Sequence, residues 1–273
     1  MVLEMNEEKK SVPRATAFCP ICGEPTEREF DMPLFDGSGK TEKRRVHIFC
    51  DCELKKSQQI EERLAWEETK RKVDSLRQLS MMDTRLKNAT FANYQVTSDN
   101  ARGIAVAKRF VNQFDRMCED GRGLLLYGGV GTGKSYTAAA IANSLLEKMR
   151  PVIMTSFIRL LEEMSGYESN AAYLARLNQA QLLIIDDLGA ERGSDYALEK
   201  VYDIVDSRYR SKKPMILTTN LDPQGMQSCS DIRYARIYDR IFESCYPVQF
   251  TGTSWRKKEA AARYFEMKQI MEG

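Results

Sequence analysis

Short apolar runs alternate with helix-patterned stretches through the middle of the chain. The runs fall at residues 124–127, 152–155, 182–185, 215–219 and 248–250. They are too short for buried helices and suit strands that are covered on both faces. Stretches with helical spacing lie among them, at 135–148, 156–164 and 196–210, and another follows at 232–244. This alternation predicts an α/β domain on a mainly parallel sheet flanked by helices. Upstream, residues 53–87 hold no proline or glycine and are rich in Glu, Lys, Arg, Gln and Leu. They predict one long, solvent-washed helix. Its apolar positions (Leu54, Ile60, Leu64, Trp66, Val73, Leu76, Leu79) are sparse and not cleanly heptad, which favours a linker or arm helix over the alternative of a coiled coil. Residues 1–52 are punctuated by Pro13, Pro20, Pro25, Pro33, Gly23, Gly37 and Gly39 and carry few helix signals. The expected segments are therefore 1–52, 53–87, 88–256 and a C-terminal helix over 257–273.

The chain has 273 residues, enough for one large domain or two smaller ones. Lys and Arg number 41 against 39 Asp and Glu, a net charge of +2. No dominant basic field exists, so any nucleic-acid contact must come from a local patch. No apolar run reaches the ~18 residues that a membrane span needs. The opening MVLEMNEEKK resembles neither a signal nor a transit peptide, which leaves a cytoplasmic location and no membrane partner as the expectation. Seven cysteines are an odd number without a secretion signal, so paired cysteines point to metal rather than to disulfides.

The chemistry concentrates after the first apolar run. Gly128-Gly129-Val130-Gly131-Thr132-Gly133-Lys134-Ser135 fits G-x-x-x-x-G-K-[ST], with a strand before it and the helical stretch 135–148 after it, and these eight residues together with Tyr136 are the expected nucleotide-binding set. The glycines let backbone N–H groups close around phosphate, and the helix N-terminus adds its dipole. Lys134 would reach the β- and γ-phosphates of ATP, and Ser135 would ligate Mg²⁺. The run 182–185 then delivers Asp186 and Asp187 to the same sheet edge. Asp186 would hold Mg²⁺, and Asp187 would polarise the attacking water. The run 215–219 ends in Asn220, which either places that water or terminates a strand in a turn. Arg236 and Arg240 share a helix face, either as a solvated pair or as an arginine finger acting on a neighbour's nucleotide.

The order of these motifs resembles the AAA+ ATPases. Within them it is similar to the bacterial replicative-helicase loaders of the DnaC/DnaI type and to the related IstB transposition ATPases. Thr90-Phe91-Ala92-Asn93-Tyr94 looks like the entry segment of the loaders, residues 182–189 look like their Walker B strand, and Gly252-Thr253-Ser254-Trp255-Arg256 resembles their short ending. The resemblance implies that Phe91 and Tyr94 pack near the adenine and that Asn220 is the sensor-1 residue. It makes Arg240 the first finger candidate and Arg236 the second. It also implies a weak ATPase stimulated by partner or DNA, self-association through the AAA+ domain, single-stranded DNA and a hexameric replicative helicase as partners, and no full C-terminal lid.

Near the N-terminus, Cys19-Pro20-Ile21-Cys22-Gly23 forms a knuckle, and Cys50-Asp51-Cys52 follows after a 27-residue gap. Four thiolates make a closed tetrahedral Zn²⁺ site that supplies folding energy to a segment without its own core. His47, the only histidine, could replace one thiolate. The module resembles the zinc-binding domain with which some loaders grip the helicase; zinc could equally serve only to fold a small cap. The basic strings 43–45 and 70–72 read as DNA contacts or as solvated faces. The function expected is an ATP-dependent loader that binds the replicative helicase and delivers it to single-stranded DNA. The alternative is an IstB-like transposition helper acting on duplex DNA.

Overall fold

The computed structural model describes residues 15–34, 39–80, 84–165, 170–189 and 195–272. Pro13, Gly37 and the first 14 positions of the cysteine-rich segment lie outside the described residues. The chain divides into two compact units, Met1–Glu68 and Thr69–Gly273.

The first unit holds a three-stranded antiparallel meander: β1 (Ala15–Phe18), β2 (Pro25–Pro33) and β3 (Thr41–His47). β2 and β3 pair from Glu27↔His47 to Pro33↔Thr41. The turn between β1 and β2 carries Cys19 and Cys22. It closes with Gly23 N–H donating to Cys19 O at 2.9 Å, at a φ of +73° that suits glycine. α1 (Asp51–Leu79) starts two residues before the expected helix. Its first turn is capped by Glu53, which accepts from Cys50 N–H at 3.4 Å, while Glu24 accepts from Asp51 N–H at 2.8 Å. Phe30, Met32 and Val46 stay exposed, so this small sheet has little apolar core of its own.

In the second unit two side chains near the end of α1 are buried, Leu76 at 1% exposed and Val73 at 6%, while Lys72, Asp74 and Ser75 between and beside them stay exposed. The helix ends at Leu79, before Ser80. The Ser80 hydroxyl accepts from Met154 N–H at 3.0 Å and donates to Val152 O at 3.4 Å, so a side chain takes the place of a missing strand beside the sheet edge. α2 (Thr84–Lys87), α3 (Ala101–Asn112) and α4 (Phe114–Asp120) follow. Then come β4 (Gly123–Gly128), α5 (Lys134–Glu147), β5 (Val152–Ser156), α6 (Phe157–Met164) and α7 (Asn170–Leu177). The unit continues through β6 (Leu182–Leu188), α8 (Asp195–Arg210), β7 (Met215–Thr219), α9 (Pro223–Gln227) and α10 (Ile232–Ser244). It closes with β8 (Cys245–Phe250) and α11 (Trp255–Glu272).

The sheet is parallel, with order β5-β6-β7-β4-β8. Strand alternation divides its side chains between two cores. Leu125, Leu183 and Leu217 pack with Phe157, Leu160 and Val201 on one face. Leu124, Leu126, Ile184 and Ile216 pack with Ile141 and Leu145 on the other. All five strands point their C-terminal ends to one edge, which is where open α/β sheets bind ligands. α11 buries none of its residues and leaves Tyr264, Phe265, Ile270 and Met271 exposed. No helix among the described residues is long and apolar enough to cross a membrane.

Candidate functional site

β4 ends at Gly128 and α5 begins at Lys134, so the phosphate loop spans the C-terminal edge of the central sheet. Gly128, Gly131 and Gly133 have φ of +133°, +78° and +101°. An ideal Cβ would lie 2.0 Å from Phe250 O at Gly128 and 2.1 Å from Ser254 Oγ at Gly131. Any side chain at either place would push the loop apart, so the glycines are required by packing as well as by φ. Gly129 and Val130 are exposed at the tip, and Thr132 Oγ1 donates to Gly129 O at 2.9 Å. The backbone N–H groups at the start of α5 and its dipole make the loop an anion cradle, a shape that fits a nucleotide phosphate.

Lys134 is 7% exposed and its three donors are all engaged. Nζ donates to Gly128 O at 2.8 Å, to Gly129 O at 2.7 Å and to Asn220 Oδ1 at 2.8 Å. Burial lowers its pKa, Asp187 and Asp186 oppose that, and the charge of Arg256 adds to the lowering. Asn220 Nδ2 in turn donates to Asp187 Oδ1 at 3.2 Å. Asp186 Oδ1 accepts from the Thr218 hydroxyl at 2.5 Å. The loop lysine, both aspartates and the asparagine thus meet at one sheet edge. Ser135 and Tyr136 sit half-buried in the first turn of α5.

Tyr94 reaches this turn from the entry segment. Its hydroxyl donates to Gly133 O at 3.2 Å and pairs with Thr137 Oγ1 at 2.8 Å, and its ring meets Tyr136 edge-on at 5.1 Å. Burial raises its pKa. Phe91 packs beside the same core face, with Lys108 Nζ 5.9 Å above its ring. Asn143 on α5 holds the preceding backbone by donating to Ala89 O at 2.8 Å and Leu86 O at 3.1 Å.

Arg236 and Arg240 lie on α10, and no contact among the described residues joins either to the phosphate loop of the same chain. Arg240 is anchored. Nε donates to Asp206 Oδ1 at 2.9 Å, Nη2 to the Tyr202 hydroxyl at 3.2 Å and Nη1 to Arg236 O at 2.9 Å. Its guanidinium lies 5.0 Å from the Tyr202 ring centre. Arg236 is exposed and borders two surface hollows of ≈ 360 and ≈ 410 Å³.

Three contributors escaped the sequence reading. Thr218 belongs to the polar Thr218-Thr219-Asn220 end of its strand, but nothing in the sequence gives its hydroxyl a role. Thr137 is one turn into α5, beyond the motif. The 252–256 segment carried the resemblance without a stated contact, yet Trp255 N–H donates to Gly131 O at 2.9 Å. Ser254 packs against Gly131, so this segment is a wall of the phosphate loop.

In the first unit the sulfur atoms of Cys19, Cys22, Cys50 and Cys52 all lie within 4.8 Å of one another. A tetrahedral Zn–S distance of about 2.3 Å sets neighbouring sulfurs about 3.8 Å apart, so the cluster is compatible with zinc. Backbone N–H groups of Cys22 and Ile21 lower the Cys19 thiol to about 7. The hydrogen bond with the Cys22 thiol, together with burial, holds the proton on Cys52. His47 is not in the cluster; its Nε2 pairs with Glu53 Oε2 at 3.3 Å.

A family model described as IstB-like ATP binding protein matches residues 46–262. Among curated proteins, "Replicative helicase loader DnaC" of Buchnera aphidicola subsp. Acyrthosiphon pisum is 30% identical over 161 residues, which are 56% of this chain and 63% of that protein. The protein of the same name in Escherichia coli (strain K12) is 28% identical over 185 residues, 65% of this chain and 73% of that one. The chain thus spans less than two thirds of the length of the Buchnera relative. Among solved structures, one titled "Crystal Structure of the DnaI" superposes with a TM-score of 0.54 at 27% identity, covering 64% of this chain and 94% of that one. Since the family match takes in both the phosphate loop and the paired aspartates, the chain belongs to the IstB-like ATP-binding proteins, AAA+ ATPases of the DnaC and IstB kind.

Proposed function

We propose that this chain is a helicase loader: an ATPase that binds a hexameric replicative helicase and delivers it to single-stranded DNA. The observation that carries the ATPase part is the joined set Lys134–Asn220–Asp187 over a glycine cradle shaped for phosphate. The loader part is supported by relatives named replicative helicase loader. The reaction is ATP plus water to ADP plus phosphate. Lys134 exchanges its carbonyl partners for the β- and γ-phosphates. Ser135 and Asp186 hold Mg²⁺, which neutralises phosphate charge when bound. Asp187 and Asn220 orient the attacking water. The anchored Arg240 of a neighbouring copy stabilises the charge that develops on the transferred group, with the exposed Arg236 as the second candidate. Phe91 and Tyr94 border the adenine. Turnover is weak until the partner or DNA assembles the ring.

In this reading residues 1–52 grip the helicase, with Zn²⁺ held by Cys19, Cys22, Cys50 and Cys52. Residues 53–87 link that module to the ATPase body, 88–256, and residues 257–273 form a helix beyond it. The IstB-like family match also fits a second reading, a transposition helper acting on duplex DNA. One experiment tests both. The full chain is pulled down with the host's replicative helicase, with and without ATP, and its binding to single- and double-stranded DNA is compared. ATP-dependent capture and single-strand preference are the expected results; duplex preference without helicase capture moves the assignment to the second reading. Lys134→Ala should abolish nucleotide binding, and unchanged affinity refutes the ATPase assignment.

A further inference from the structure

Two adjacent residues of a regular strand point to opposite faces of the sheet. Asp186 and Asp187 are adjacent, and both serve the phosphate edge. β6 meets this demand with a bulge. Its register runs Ile185↔Leu217 and then Leu188↔Thr219, three steps against two on β7. Asp187 takes the extra step with a φ of +63°, left-handed for a residue with a side chain. The bulge removes Asp187 N–H from the ladder and leaves this part-buried donor to find a partner elsewhere.

We infer that Thr218 is the positioning residue that makes this bulge serve the metal-binding carboxylate. Its hydroxyl accepts from Asp187 N–H at 2.9 Å and donates its single proton to Asp186 Oδ1 at 2.5 Å. The residue is 1% exposed, so water does not replace either bond. Asp186 Oδ2 has no protein donor among the described residues, which leaves that oxygen available. Beside it, Thr219 Oγ1 donates to Leu188 O at 2.7 Å and accepts from Leu221 N–H at 3.1 Å, fixing the far side of the bulge. Thr218 therefore links backbone shape to carboxylate orientation through one oxygen. Partners that orient a metal ligand in this way typically contribute ~10–100-fold to metal affinity. The inference rests on the ATPase reading and adds to it a residue that touches neither nucleotide nor metal.

The test uses the full chain, a fluorescent ADP analogue and a Mg²⁺ titration of its binding. Thr218→Val keeps the branched shape and loses the hydroxyl. It should raise the Mg²⁺ midpoint by about tenfold or more, leave Mg²⁺-free ADP binding unchanged, and be restored to the native midpoint by Thr218→Ser. Should the valine variant not fold, Thr218→Ala against Thr218→Ser isolates the hydroxyl, because both lose the methyl group. A lower melting temperature with an unmoved Mg²⁺ midpoint overturns the inference, because a merely structural role has that signature. Native protein that binds ADP with no Mg²⁺ dependence at all overturns the ATPase reading as well.

Discussion

Replacing Arg240 with alanine separates a residue that acts across an interface from one that only braces its own helix. The structure sets the cost of bracing. The guanidinium loses a half-buried ion pair with Asp206, whose two side chains are 22% and 15% exposed, and contacts with the Tyr202 and Tyr209 rings at 5.0 and 5.8 Å. Asp206 is not stranded, because Arg210 Nε stays 2.7 Å from it. A partly screened ion pair and two cation–π contacts contribute about 1–2 kcal/mol together. In a unit of this size that lowers Tm by about 2–8 °C. Assays run well below the variant's Tm therefore see folded protein. A finger is worth ~10³–10⁵ in rate in the best-studied systems, and a loosely assembled ATPase will show less. Arg240→Ala should keep nucleotide affinity and lose turnover, while Lys134→Ala loses binding. Mixed in equal amounts, the first variant supplies an intact pocket and the second an intact finger. With random head-to-tail neighbours, about one interface in four joins the two, so the mixture should recover about a quarter of native activity. Recovery needs two chains. If the mixture recovers nothing, the trans role of Arg240 is refuted, and Arg236 becomes the residue to test in the same way.

Two further outcomes follow from the two units. Elemental analysis should find one zinc per chain; chelation or Cys52→Ser should release it and abolish the β-sheet signal of residues 15–47, and a metal-free chain with that sheet intact would refute the site. Leu76→Ala removes a side chain that is 1% exposed where α1 enters the larger core, and should cost about 2–5 kcal/mol by denaturant unfolding; a change below about 1 kcal/mol would show that this end of α1 is not part of the cooperative core.

β4, β5, β6 and β7 were readable because both of their faces are covered, and such strands announce themselves as apolar runs, whereas the edge strand β8 leaves Tyr246 and Gln249 exposed and shows only as the short stretch 248–250. α10 was readable over its full length because its apolar face repeats at helical spacing between Asp231 and Cys245. The meander of the first unit was not. β3 reads TEKRRVH and is exposed throughout, so neither periodicity nor apolar content marks it. The break in the linker helix was hidden as well, since Ser80 is an ordinary helix residue until Val152 and Met154 offer it backbone partners. At the site, the residue types of the phosphate loop and the aspartates are dictated by chemistry and so show in the sequence. Thr218 and the anchoring of Arg240 depend on partners more than thirty positions away, which only the fold brings near.

The hydrogen bond from Trp255 to Gly131 has an optical consequence. The chain holds two tryptophans, and Trp66 stands in the other unit. Trp66→Phe would leave a single indole whose backbone is fixed to the phosphate loop, with Lys258 Nζ 4.7 Å over its ring. Emission from that indole depends on the field and the quenching groups around it. Nucleotide entering the loop should therefore be readable as a change in intrinsic fluorescence, with no label attached and without waiting for turnover.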